Sequence, residues 1–404
     1  MVLQEDQIRL RPIEPTSTDS LLLPDANDQR FRRRHRKIQH SNDKGNFVMQ
    51  IRTYFAAIVT LAVTTTATPA DDIDLGLKKP FTGRLVIGGL TNPSSVTFSP
   101  DGVLTVCDSG NGRVILVKDG KAEDYVTDFP TEFWKTDPET GTQRFKLGPL
   151  SSVWINEKTL AVTNAGLGDG SETVVFFDGP GTVTDGSATN GVGPTSDDAK
   201  DKGEGNLTGL SVSEDGSTVF VAGQGSDAKS WILSADVASR KLSGLVSADD
   251  AGIETNSPMA TLPWNRGTIL ALYSGAGGKD DGLIVQWNVK KKEVVKKWSL
   301  PGLTDPMGFA VVPETRSLAV VDNNWALTEV KSGRLARVFL PRDADEAKVR
   351  VLSDDLKGPV SCAFGPDGDL YIAQLGDEFD KDKGQIVAVS GIKAGSGKKK
   401  KDAK

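Results

Sequence analysis

From Asn92 onward the chain repeats itself. Six segments share one order of parts, an apolar strand, a tight turn and a second β-rich strand with a polar residue near its end. They begin NPSSVTFSPDGVLTVCDSG at Asn92, GPLSSVWINEKTLAVTNAG at Gly148, NLTGLSVSEDGSTVFVAGQG at Asn206, SPMATLPWNRGTILALYSG at Ser257, DPMGFAVVPETRSLAVVDNN at Asp305 and GPVSCAFGPDGDLYIAQLG at Gly358. The anchor residues Pro93, Pro149, Leu207, Pro258, Pro306 and Pro359 lie 56, 58, 51, 48 and 53 residues apart. One unit therefore has room for about four short strands. Such a unit cannot cover both faces of its own sheet, so neighbouring copies must do it.

Six units stacked radially make an all-β fold, a six-bladed β-propeller. In the fullest copies the turn is Pro-Asp-Gly, at Pro100 to Gly102 and Pro366 to Gly368, where Pro presets the first turn angle and Gly accepts a positive φ. Third strands follow at Arg113 to Val117, Thr173 to Phe177, Leu283 to Trp287 and Gln385 to Val389. The segment GRLVIGGL (Gly83 to Leu90) precedes the first unit without a partner, and the sixth unit ends after its third strand. Ring closure by this N-terminal strand is the expected arrangement, since it hides two exposed edges at once. The propeller is placed at residues 81–392, with a flexible basic tail at 393–404.

The first seventy residues are of another kind. Residues 1–48 carry RFRRRHRK at Arg30 to Lys37 and no apolar periodicity, so they are expected to be a disordered tail. At Met49 the text changes to MQIRTYFAAIVTLAVTTTATPADD, with Arg52, an apolar stretch from Tyr54 to Val63, and small residues to Ala70. That is the layout of a secretory signal over 49–70, cleaved after Ala67 or Ala70. The stretch is too short to span a bilayer, for which roughly 20 apolar residues are needed. Met49 thus reads as the initiator, and residues 1–48 as an over-extended gene start. An uncleaved anchor and a buried strand are the other readings of the segment.

Removing residues 1–70 takes 10 basic and 7 acidic residues from totals of 48 and 54, leaving 38 and 47 and a net charge of −9. No basic face remains to neutralise phosphates, so nucleic acid is not an expected partner. An exported protein, periplasmic or extracellular and without a membrane anchor after cleavage, is the expectation. Both histidines, His35 and His40, fall in the tail. The propeller then has none, which excludes histidine-activated nucleophiles and histidine metal clusters.

The first unit, PSSVTFSPDGVLTVCDSGNGRVILV, resembles an NHL repeat, and the sixth resembles its first half. The resemblance covers nearly all of residues 81–392 and implies the same six-bladed layout as the gluconolactonase (regucalcin)-like lactonases, strictosidine synthase-like proteins, paraoxonases and non-enzymatic NHL interaction modules. In the lactonases a metal-binding Asn or Asp commonly follows the anchor Pro. Here Ser94, Leu150, Thr208, Met259, Met307 and Val360 stand there, and none is a carboxylate or amide. Paraoxonase-type chemistry and quinone-dependent sugar dehydrogenases use histidine.

Strand direction places the ends of the second strands and the approach to each anchor on one face. Asp108, Asn164, Asp322, Asn323 and Gln374 are expected to ring the channel mouth there, with Asn92 and Asp305 nearby and Trp325 and Trp134 framing it. Two acids with amides suit a cation or a polyol, and exposed Trp beside them suits sugar or peptide. The competing reading is structural, since strand-end Asp and Asn commonly accept backbone N–H groups in the next turn. GDEFDKDKG (Gly376 to Gly384) has an oxygen-rich end that suits calcium, against a solvated loop. The insertion Asp178 to Gly205 reads as a mobile surface loop. Cys107 and Cys362 fall in blades that closure makes neighbours, either as a disulfide or as two buried thiols.

The leading expectation is an exported, non-enzymatic propeller binding a protein or glycan on its channel-mouth face, with no resident cofactor. A gluconolactonase-like hydrolase with a rearranged divalent site at Asp108, Asn164 and Asp322, and a structural scaffold, are the alternatives.

Overall fold

The computed structural model describes residues 72–168, 171–183, 207–223, 230–249, 251–255, 257–326 and 329–392. The tail at 1–48, the signal-like segment at 49–70, the basic end at 393–404 and most of the insertion from Asp178 to Gly205 lie outside them. The described residues contain no α-helix and form six radial sheets.

The innermost strands are Pro93–Phe98, Pro149–Trp154, Leu207–Val212, Pro258–Pro263, Pro306–Val311 and Pro359–Phe364. Each touches the innermost strand of the next blade, and the sixth touches the first, so the ring is closed. The second strands, Leu104–Asp108, Leu160–Asn164, Thr218–Gly223, Thr268–Tyr273, Ser317–Asp322 and Leu370–Gln374, return antiparallel to them. In blade 6 the fourth place is taken by Thr82–Leu90, paired antiparallel with Gly384–Ser390. Residues 72–81 lead into it, and Leu75 is buried between blades 5 and 6.

Why these strands carry apolar residues on both faces follows from the geometry. Successive side chains point to opposite faces, and in a propeller both faces are covered by a neighbour. In Thr268–Tyr273, Ile269, Ala271 and Tyr273 pack toward blade 3, while Leu270 and Leu272 pack toward blade 5. Six hydrophobic clusters result, one in each seam between blades. Each fully buried Leu or Ile contributes about 1.5–3 kcal/mol, so the seams hold the ring together.

Blade 2 departs from the four-strand expectation. It has three strands among the described residues, and Gly181–Thr182 pairs in parallel with Val126 and Thr127 of blade 1. The two cysteines are free buried thiols, Cys107 in the seam between blades 1 and 2 and Cys362 in that between blades 5 and 6. They lie in different seams because they occupy different strands of the repeat. Burial pushes both thiols up to about 12.

Candidate functional site

The register between first and second strands breaks once in every blade, directly after the anchor. A bulge takes its extra residue out of the ladder and re-aims the side chain. The residues following the anchors are Ser94, Leu150, Thr208, Met259, Met307 and Val360, and all six line a single cavity at the channel mouth. It measures about 760 Å³, counting the space open to solvent. Asn92, Leu147, Asn323, Leu375 and the rings of Trp134, Phe145 and Trp325 complete its described wall.

The polar groups of that wall are largely engaged by the backbone. Ser94 Oγ donates to the Pro149 carbonyl at 3.0 Å, Thr208 Oγ1 to the Pro258 carbonyl at 2.8 Å, and Asn323 Nδ2 to the Pro359 carbonyl at 3.1 Å. Each bond ties one blade to the anchor of the next. No Asp, Glu, Lys, Arg or His stands in the described wall.

A hairpin between blades 1 and 2 covers one side of the mouth. Its strands, Glu132–Thr136 and Gln143–Leu147, pair Glu132 with Leu147 and Thr136 with Gln143. Trp134 lies against Phe145 and Trp325, at ring centroid distances of 6.1 and 6.3 Å. Phe145 also reaches Trp325 at 6.0 Å and Phe379 of the blade 6 loop at 4.5 Å.

Asp380 fastens this arrangement. Its Oδ1 accepts from Lys146 N at 2.7 Å and from Asn92 Nδ2 at 2.6 Å, and its Oδ2 from Phe145 N at 3.0 Å. In return Asp380 N donates to Asn92 Oδ1 at 3.1 Å, and Thr91 Oγ1 donates to the Asp382 carboxylate at 2.5 Å. Asn92, Phe145 and Asp380 all have positive φ, of 48°, 58° and 58°. For a Phe this conformation is a genuine outlier, costing on the order of 1–3 kcal/mol, and it persists only where the surroundings enforce it. The loop read as calcium-like is thus a latch whose Asp380 carboxylate is filled by N–H donors. Among the described residues no group of three or more His, Cys, Asp and Glu is placed to hold a metal ion.

The residues expected at the mouth divide into two sets. Asn323 and Trp325 line the cavity; Asp108, Asn164, Asp322 and Gln374 are buried behind its wall. Asp108 accepts from Thr91 N at 2.8 Å, Asn111 Nδ2 at 2.9 Å and Arg113 Nε at 2.8 Å. Asp322 accepts from Asp305 N at 2.6 Å and Arg334 at 3.2 Å. Gln374 Oε1 accepts from Lys357 N at 2.5 Å. All three hold the backbone that leads into their own blade. Asn164 Oδ1 is buried without a hydrogen-bond partner among the described residues.

Asp305 supports the wall from behind, its Oδ1 accepting from Gly278 N at 2.9 Å and its Oδ2 from Trp325 N at 2.8 Å. Burial pushes the Asp305 and Asp322 carboxyls above the ordinary aspartate value, against the pull of their N–H donors.

Phe145, Phe379 and Asp380 are not singled out individually by the sequence. Phe379 and Asp380 are signalled only by their place in the oxygen-rich loop Gly376 to Gly384.

No family model matches the chain, and no curated protein matches it in sequence. Solved structures do match in fold. The glucose dehydrogenase-type oxidoreductase of Thermus thermophilus superposes with a TM-score of 0.50 at 13% identity, covering 76% of this chain and 99% of that one. A second glucose dehydrogenase gives 0.50 at 17%, covering 77% and 99%. A gluconolactonase-type protein gives 0.44 at 11%, covering 78% and 94%. At these identities the first two likenesses are of fold alone.

Proposed function

We propose that this chain is a binding propeller, without catalysis at the mouth, which takes an apolar side chain of a protein or peptide partner into its channel mouth. The observation that carries the reading is the ring of six bulged residues, Ser94, Leu150, Thr208, Met259, Met307 and Val360, in a described wall without a charged or imidazole side chain. Acid–base or nucleophilic chemistry needs a titratable group within reach of the reacting atom. The described wall offers none. Apolar walls with flexible Met and rigid aromatic rings suit a hydrophobic anchor.

A glycan is the less favoured partner, because sugar hydroxyls need open donors and acceptors and those of Ser94, Thr208, Asn92 and Asn323 already serve the fold. Neighbours of the same fold are named for sugar oxidation, and one of them is described as bound to pyrroloquinoline quinone. That polycarboxylate would require cationic partners, and no Arg, Lys or His stands in the described wall. The residues do not fit it. We further propose that the protein acts outside the cytoplasm, on the strength of the signal-like segment at 49–70.

The test is a parallel screen of peptide and glycan arrays against the wild type and Met259→Glu/Met307→Glu. Peptides carrying an exposed Leu, Ile or Phe are expected to bind the wild type and to be lost in the double variant. Turnover of a lactone or sugar that the double variant abolishes would overturn the reading.

A further inference from the structure

On the opposite face, cavities open between blades beside the turns joining first to second strands. The one between blades 3 and 4 has Glu214, Asp215 and Arg266 in its wall. That between blades 6 and 1 has Arg84 and Lys118 with Asp119 and Asp367, and Arg84 pairs with Asp367 at 3.2 Å. Both carry mixed charge.

The cavity between blades 4 and 5 differs. It measures about 960 Å³, counting the space open to solvent, and its only charged described residues are Arg316 and Arg342. Neither guanidinium has an ion-pair partner among the described residues. The nearby Asp345 carboxylate is held by Lys296 Nζ at 3.1 Å, and the same Nζ donates to the Arg342 carbonyl at 2.9 Å. The remaining wall includes Trp264, Trp298 and Leu340. Trp298 is buried, and its Nε1 donates to the Pro341 carbonyl at 2.7 Å, which fixes the plane of its ring.

We propose that this wedge is a second binding site, for a small monoanion with an aromatic or alkyl body, the class of aryl-alkyl carboxylates. Guanidinium groups recognise carboxylates by paired N–H donors, and Arg316 and Arg342 supply them at the rim. The indoles of Trp264 and Trp298 supply a rigid apolar surface for the body of the ligand. In a chain of net acidic charge, two cations without an ion-pair partner among the described residues, above an aromatic wall, select for an anion that also carries apolar surface.

Calorimetric titration of the protein with 4-phenylbutyrate, and separately with its neutral amide, tests the assignment. The acid is expected to bind at least tenfold more tightly than the amide, and Arg316→Gln/Arg342→Gln to remove that difference. Trp264→Ala is expected to weaken both ligands, and Lys121→Gln, exposed on the outer strand of blade 1, neither. Both arginines are exposed, so the double variant is expected to keep the wild-type circular dichroism and melting curve. Equal affinity for acid and amide, no saturable binding, or loss of binding in Lys121→Gln would overturn the proposal.

Discussion

Asp322 and Asp380 lie on the same face of the propeller, and both carboxylates are filled by donors, yet they do different work. Asp322 bonds within its own blade, to the backbone of Asp305 and the Arg334 side chain. Asp108 repeats the arrangement in blade 1 with Arg113. Asp380 instead joins three separate pieces, the blade 6 loop, the lead-in to blade 1 at Asn92 and the hairpin at Phe145 and Lys146. It has no ion-pair partner among the described residues. A carboxylate paired with an arginine inside one sheet fixes that sheet. One that bridges strained segments across blades shapes the cavity between them.

The comparison breaks most visibly in unfolding. Asp322→Ala is expected to cost about 3 kcal/mol, the low end for a broken buried pair because Arg334 is part-exposed and can turn to water. Denaturant titration measures it, and a loss below about 0.5 kcal/mol would remove the structural role. Asp380→Ala should cost less globally, about 1–2 kcal/mol, with its main effect local. Hydrogen exchange at the Phe145 and Lys146 amides should rise at least tenfold while the seams keep their protection. Uniform acceleration across all blades would mean that Asp380 is a stability residue like Asp322.

A smaller effect concerns Asp305. Its folded carboxyl is pushed above the ordinary value by burial. The folded state therefore takes up this proton at a higher pH than the unfolded chain does. The associated stabilisation is fully present below the unfolded pKa, near 3.8, and is lost as pH rises through the folded value. Carboxyl-carbon NMR should show a titration midpoint above 3.8 that falls toward it when Trp325→Gly loosens the wall; a midpoint below 3.8 would contradict the direction.

The ring was legible because each seam is written locally. Ile269 and Leu270 alternate toward different neighbours, and any strand buried on both faces must read that way. The residues after the anchors were legible too, since the repeat places Ser94 and Met307 at equivalent positions. That their side chains meet in one cavity depends on a bulge, which the alternation alone does not reveal. The latch was not legible, because Asp380 meets Phe145 across 235 residues and through a backbone conformation that Phe seldom adopts. Asp108 and Asp322 end their second strands opposite the anchors Pro93 and Pro306. Whether they look into the channel or back into their own blade depends on Arg113 and Arg334 in the next strand.

The chain has four methionines, and the two beyond residue 70, Met259 and Met307, both line the mouth. Their ε-methyl signals, labelled with carbon-13, therefore report on the proposed site. Titration with a peptide carrying a single apolar anchor is expected to shift both signals together and saturably, and Val360→Glu is expected to abolish the shift. Saturable binding of that peptide with both methyl signals unmoved would contradict the account.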